Sequence, residues 1–194
     1  MSILFKLTAT GRRINMREPG PHCIELLDTA WSLAQTNRFT GHALRPYSVA
    51  EHSLLVAEIL EREFGMPPPV RFAGLHHDDQ ESIVGDVASP DKVMLGAAWE
   101  IHEGVWADAV RERWGMVDTF KRYAGPIKRA DLMALATERR DLMPAHPDPW
   151  EVLHGIEPIG WVRLNSPERR AHDWEFWRDR FMDEHFALME AMEP

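Results

Sequence analysis

After Pro21 the apolar residues recur at three- and four-residue steps, and Leu26, Leu27, Ala30, Leu33 and Ala34 mark one face of a predicted helix. The stretch before it lacks that period. ILFKLTA, Gly11 and the Pro19-Gly20-Pro21 stop predict an irregular or partly extended arm over residues 1–20. Asn37 to Tyr47, with Gly41 and Pro46, predicts a loop. Ser48-Val49-Ala50-Glu51 then matches a capping box, in which Ser accepts the N3 amide proton and Glu reaches back to the Ser amide. This helix is predicted to run to about Phe64, where Gly65 and Pro67-Pro68-Pro69 end it.

A third helix is predicted from about Val70 to Val84, carrying His76-His77-Asp78-Asp79-Gln80-Glu81, with Gly85 as its breaker and Asp86 to Pro90 as turn or loop. Residues 92–114, with Trp99, Trp106 and Trp114, and Phe120 to Met143 predict two more. Pro144 to Pro158 holds four prolines and predicts a loop. Ser166-Pro167-Glu168 starts a C-terminal packing helix over 166–192, with Ser as N-cap, Pro at N1 and a stripe of Trp174, Trp177, Phe181 and Leu188. Little strand signal and no repeat are present, so the expected fold is all-α, in one domain spanning 1–194.

Composition narrows the function classes. A chain of 194 residues with 44% hydrophobic residues can bury a real core. Its net charge of −9 argues against nucleic-acid binding, which needs clustered Lys and Arg. No apolar run approaches a membrane span, no signal-peptide pattern opens the chain, and the single Cys23 cannot form an internal disulfide. A cytoplasmic protein with no membrane partner is the expectation.

The candidate chemistry lies in polar residues on faces that should point inward. His52 sits on the stripe Leu55, Val56, Ile59, Leu60; a lone His there is ordinarily a hydrogen-bonded core residue. On the next helix, His77 and Glu81 are four apart and Asp78 and Glu81 three apart, so their side chains would be neighbours. The small Ala73 and Gly74 beside them would let a partner helix approach closely. Burying adjacent carboxylates is costly without a cation, and a divalent ion removes that cost. The alternative for this segment is a solvated acidic face with a chance His pair. Asp86 after Gly85 has the alternative of a simple turn residue, and Asp131 that of a partner for Lys128.

The ordered set resembles the HD-domain metal-dependent phosphohydrolases, particularly their bacterial 5′-deoxynucleotidase branch and its phage dATP triphosphohydrolase relatives. The carrying residues are Glu51-His52-Ser53, His77-Asp78-Asp79-Gln80-Glu81, Gly85-Asp86-Val87-Ala88-Ser89-Pro90-Asp91-Lys92 and Lys128-Arg129-Ala130-Asp131, with Asn37-Arg38-Phe39 upstream. The resemblance implies a helical HD-domain bundle in which His52, His77, Asp78 and Asp131 ligate one divalent transition metal, a Co, Mn, Zn, Fe or Ni ion. It implies that Glu81 and Asp86 position the attacking water and move protons, and that Arg38 orients the phosphate. Phe39 would lie beside the sugar, where that branch has Trp, and Asp86, Val87, Ala88 and Ser89 would line the nucleoside pocket.

The implied activity is removal of the 5′-phosphate from (deoxy)nucleoside monophosphates by a homo-oligomeric enzyme. One alternative is a (d)NTP triphosphohydrolase, for which Arg12, Arg13 and Arg45 are candidate extra cations. Another is a non-catalytic nucleotide-binding module. The neighbouring His76 and Asp79 leave a register question, and the Glu81 and Asp86 spacings favour His77-Asp78 as the ligand pair.

Overall fold

The structure, a computed structural model, describes residues 4–193 and is all-helical apart from one short ribbon. The N-terminal arm forms that ribbon: β1 (Phe5–Leu7) pairs antiparallel with β2 (Arg13–Asn15), Lys6 opposite Ile14. Helix α1 (Leu26–Gln35) follows, burying Thr29, Ala30, Leu33 and Ala34 as its apolar period requires.

Helix α2 (Val49–Arg62) is the centre of the bundle, packed against α1 and against three helices described below. It buries ten of its side chains, among them Leu55, Val56, Ile59 and Leu60. Its N-cap is half of the predicted box. Ser48 Oγ accepts the Glu51 amide at 3.2 Å, but the Glu51 carboxylate turns inward instead of back. It accepts from Arg45 at 2.6 and 2.8 Å and from Arg169 at 2.7 Å, because two guanidinium groups satisfy a buried charge better than one amide.

The predicted helix over 70–84 is broken in two: α3 (Pro68–Leu75) and the single turn α4 (Glu81–Val84), with 76–80 as a turn between them. The His and Asp residues there are poor helix formers whose side chains have stronger partners than the helix ladder provides. His77 Nδ1 donates to the Gly74 carbonyl at 2.8 Å, and Ser82 Oγ donates to the Asp79 carbonyl at 2.7 Å. The close approach predicted at Gly74 is present, since a Cβ there would overlap Leu60 of α2.

Two further predicted elements are also divided. Ser89 and Pro90 open α5 (Ser89–Leu95) instead of closing a loop, and Gly96, at φ 61°, separates it from α6 (Ala97–Arg113). Helix α7 (Val117–Leu142) kinks at Tyr123 (φ −118°, ψ 20°), three residues before Pro126, whose ring cannot continue the ladder. The C-terminal segment is a short α8 (Pro167–Arg170) and a separate α9 (Trp174–Met192) with its own N-cap, Asp173 accepting the Phe176 amide at 3.0 Å. Phe181 and Leu188 of α9 are buried, with Trp174 and Trp177 partly buried against the core. Among the described residues no helix is long and apolar enough to cross a membrane.

Candidate metal centre

Four elements carry side chains to one point. Residue 52 is on the inward face of α2 and is fully buried, so its imidazole must find polar partners inside. His52 Nδ1 lies 2.6 Å from Glu138 Oε1 of α7, leaving Nε2 to face the turn after α3. His77 is oriented in the same way. Because a carbonyl only accepts, its bond to Gly74 puts a proton on Nδ1 and leaves Nε2 as the nitrogen that faces the cluster.

The two Nε2 atoms are 3.4 Å apart. Asp78 Oδ2 lies 3.1 Å from His77 Nε2 and 3.7 Å from His52 Nε2. His52, His77 and Asp78 thus offer three ligand atoms all within 4.8 Å of one another, a group able to hold a metal ion. Asp131 of α7 flanks them, with Oδ1 3.3 Å from His52 Nε2 and 3.9 Å from His77 Nε2, while Oδ2 accepts from Lys128 at 2.7 Å. Pairing with Lys128 and facing the imidazoles are therefore both true of Asp131. Of the two neighbouring pairs, His77-Asp78 is the one that faces His52 and belongs to the group able to hold a metal ion.

Arg38 bridges the cluster and its outer support. Its Nε and Nη2 donate to Glu138 Oε2 at 3.2 and 3.0 Å, and Nη1 is 4.0 Å from Asp78 Oδ2. Burial disfavours its charge, but Glu138, Asp86, Glu81 and Asp78 outweigh that and keep it cationic. Burial also raises the Asp78 carboxyl, and the charge and hydrogen bond of His77, with His52, overcome it and hold the group below the usual carboxylate range. Asp131 behaves alike, held low mainly by its hydrogen bond to His52. In His52, burial and Arg38 lower the pKa, but Glu138 and Asp131 win and lift it to about 9.

Glu81 and Asp86 are shifted the other way. Burial, then the charges of Asp78 and Asp86, push Glu81 well above the ordinary value, against the pull of Arg38 and Lys92. Asp86 is raised by burial first, with Arg38 opposing. Glu81 is almost fully buried, and its Oε2 has no hydrogen-bond partner among the described residues. Lys92 of α5 reaches to 3.9 Å from Glu81 Oε1 while bonded to Glu103 at 2.7 Å. Val87 and Ala88 stay partly exposed and Ser89 exposed, so this stretch forms an open rim.

Phe39 sits next to Arg38 in a left-handed conformation (φ 56°), as does Thr40 (φ 52°). Such backbone is uncommon outside glycine and costs about 1 kcal/mol or more per residue. Phe39 packs on Trp150, ring centroids 6.0 Å apart. Three of these participants have no assigned role in the sequence reading. Glu138 is seven residues after Asp131, two helical turns on the same face, and that spacing is a usable signal. Lys92 lies inside a quoted motif. Trp150 lies in a proline-rich loop and carries no local signal.

No family model matches the sequence. The chain is 32% identical over 179 residues to the uncharacterized protein YfdR of Escherichia coli K12, an alignment covering 92% of this chain and 94% of that one. It is 37% identical over 124 residues to the uncharacterized protein RCAP_rcc00048 of Rhodobacter capsulatus, covering 62% of each chain.

Proposed function

The chain belongs to the family of Escherichia coli YfdR, and on that premise we propose that it is an HD-domain, divalent-metal-dependent phosphohydrolase that removes the 5′-phosphate from (deoxy)nucleoside monophosphates. The observation that carries this reading is the convergence of His52 Nε2, His77 Nε2 and Asp78 Oδ2. Both imidazoles have their other nitrogen occupied, by Glu138 and by the Gly74 carbonyl, the arrangement that orients histidine as a metal ligand.

The donor set fits one ion. His52, His77 and Asp78 would hold it, with Asp131 as the fourth ligand, and imidazole with carboxylate suits Mn, Fe, Co, Ni or Zn. Such an ion supplies Lewis acidity, acidifying water and offsetting charge on phosphoryl oxygens. Arg38, pinned by Glu138, presents a permanently charged fork to the phosphate. Glu81, buried beside Asp78 and Asp86, takes the proton of the attacking water and holds that water in line. Asp86, in the turn after Gly85, protonates the departing 5′ oxygen. The P–O bond to that oxygen breaks as the new P–O bond forms, and inorganic phosphate and a nucleoside leave.

A monophosphate is favoured over a triphosphate by where the other arginines are committed. Arg45 is spent on Glu51 and the Leu164 carbonyl, Arg12 on Asp28 and the His22 carbonyl, and Arg13 lies over Phe5. Product analysis with dAMP and dATP, with and without chelator, tests the assignment. Chelator-sensitive inorganic phosphate from dAMP is the expected result. Triphosphate plus nucleoside from dATP would transfer the assignment to a triphosphohydrolase, and no turnover by metal-loaded protein would leave a binding module.

A further inference from the structure

The turn that presents His77 and Asp78 has a second side. His76 and Asp79 point away from the metal centre into the layer between α3, α6 and α9, and neither has any exposed surface. His76 Nδ1 lies 2.7 Å from Asp79 Oδ2, and the same oxygen accepts from Trp114 Nε1, at the end of α6, at 2.8 Å. His76 Nε2 lies 2.9 Å from Nδ1 of His185, a buried residue of α9. Aromatic rings wall the group. Phe72 is 4.5 Å from His76 and 5.2 Å from His185 between ring centroids, and Phe181 stands edge-on to His76 at 5.3 Å.

A carboxylate and two imidazoles in an aromatic box are an expensive way to fill a core, because apolar residues of like volume pack there without desolvation cost. What the network provides is direction. Hydrophobic contacts tolerate sliding and rotation, whereas three hydrogen bonds of 2.7–2.9 Å hold His76 and Asp79 in one orientation. These residues bracket His77 and Asp78 in the chain, so fixing the outer pair fixes where the inner pair points. The turn needs such support. It lies between an eight-residue and a four-residue helix, and the Asp79 amide makes only a 3.4 Å bond to the His76 carbonyl.

We propose that His185 is a positioning residue: with Trp114 it clamps the 76–79 turn through His76 and Asp79, so that α9 and α6 set the geometry of the metal ligands His77 and Asp78. This rests on the metal-centre reading above. The test uses the full chain and two conservative variants, His185→Phe and Trp114→Phe, each keeping the aromatic packing while removing one polar group. Hydrogen exchange of the 77–82 amides is measured on metal-free protein, and cobalt(II) affinity is measured by calorimetry together with the visible spectrum of the cobalt site.

The expected result is at least tenfold faster exchange across the turn in both variants. Cobalt affinity should fall about tenfold, the scale typical when a partner of a ligand is lost, with changed band positions. His185→Gln, which restores a donor and acceptor, should recover part of each effect. Unchanged exchange in both variants overturns the clamp, and faster exchange with unaltered cobalt affinity and spectrum overturns its positioning role. If wild-type protein binds no cobalt, the metal-centre reading fails and the positioning role fails with it, while the exchange measurement still decides the clamp.

Discussion

One five-residue turn carries two His–Asp pairs, and they are used in opposite ways. His76 and Asp79 are closed on every side and bond to each other, to Trp114 and to His185. His77 and Asp78 keep some exposure; His77 Nδ1 donates to the Gly74 carbonyl, while His77 Nε2 and the Asp78 carboxylate face His52, Asp131 and Arg38. Residue type therefore does not separate a pair able to hold a metal from a structural one. Orientation does: one pair turns into the core and is held by Trp114 and His185, and the other turns polar atoms toward His52 and Asp131, where a ligand could sit.

The largest break in this comparison should come from Asp78→Asn. Removing a ligand charge is expected to lower phosphate release about a thousandfold, near 4 kcal/mol of transition-state stabilisation, and to weaken metal binding at least as much as any other single change. A wild-type rate with the variant would remove Asp78 from the site.

Asp79→Ala should show the converse. It leaves His76 Nδ1 and Trp114 Nε1 facing a buried space with no acceptor, costing on the order of 3 kcal/mol in urea unfolding. A loss under 1 kcal/mol would mean that the network carries little of the core's stability. Ligand linkage sharpens the contrast further. A divalent ion at a hundred times its dissociation constant should stabilise the wild-type protein by about 2.7 kcal/mol and leave Asp78→Asn unchanged, so equal melting shifts in the two would argue for binding elsewhere.

The smallest expected effect is a pH dependence located in the closed pair's partner. Burial, then the charges of His76 and Arg113, lower His185 to about 4. A histidine depressed on folding is held neutral in the native state and takes up its proton on unfolding. Its contribution to stability is thus complete above the ordinary value near 6.5 and is lost as pH falls toward 4. Between pH 7 and 4.5 this is on the order of 2 kcal/mol. Metal-free wild type should lose that much more urea stability over the interval than His185→Phe; parallel losses would place the titration in other groups.

Much of this was legible before any coordinates. The helix from Ser48, its inward His52 and the close approach at Gly74 follow from spacing and residue type, and the candidate set of ligands is what the family resemblance implies. What spacing missed has a common cause. The 76–80 turn fits a helical period as well as its neighbours do, and it opens because its side chains find partners in α2, α6, α7 and α9. Ser89 and Pro90 look like a loop because Pro reads as a breaker, yet at a helix start its missing amide proton costs nothing. Glu138 looks, in a sequence, like any surface Glu of an amphipathic helix, and only its seven-residue spacing from Asp131 hints at its place.

Periodicity is a local property, and it sufficed for an all-helical chain with imidazoles and carboxylates on faces that cannot all be solvated. The Glu81 and Asp86 spacings favour one of the two adjacent His–Asp pairs, but what makes that pair meet His52 is not local. That choice belongs to groups far away in the chain, with Glu138 86 residues from His52 and His185 109 residues from His76. The cost of burying an unpaired polar group makes each such partner decisive, and only packing brings the partners together.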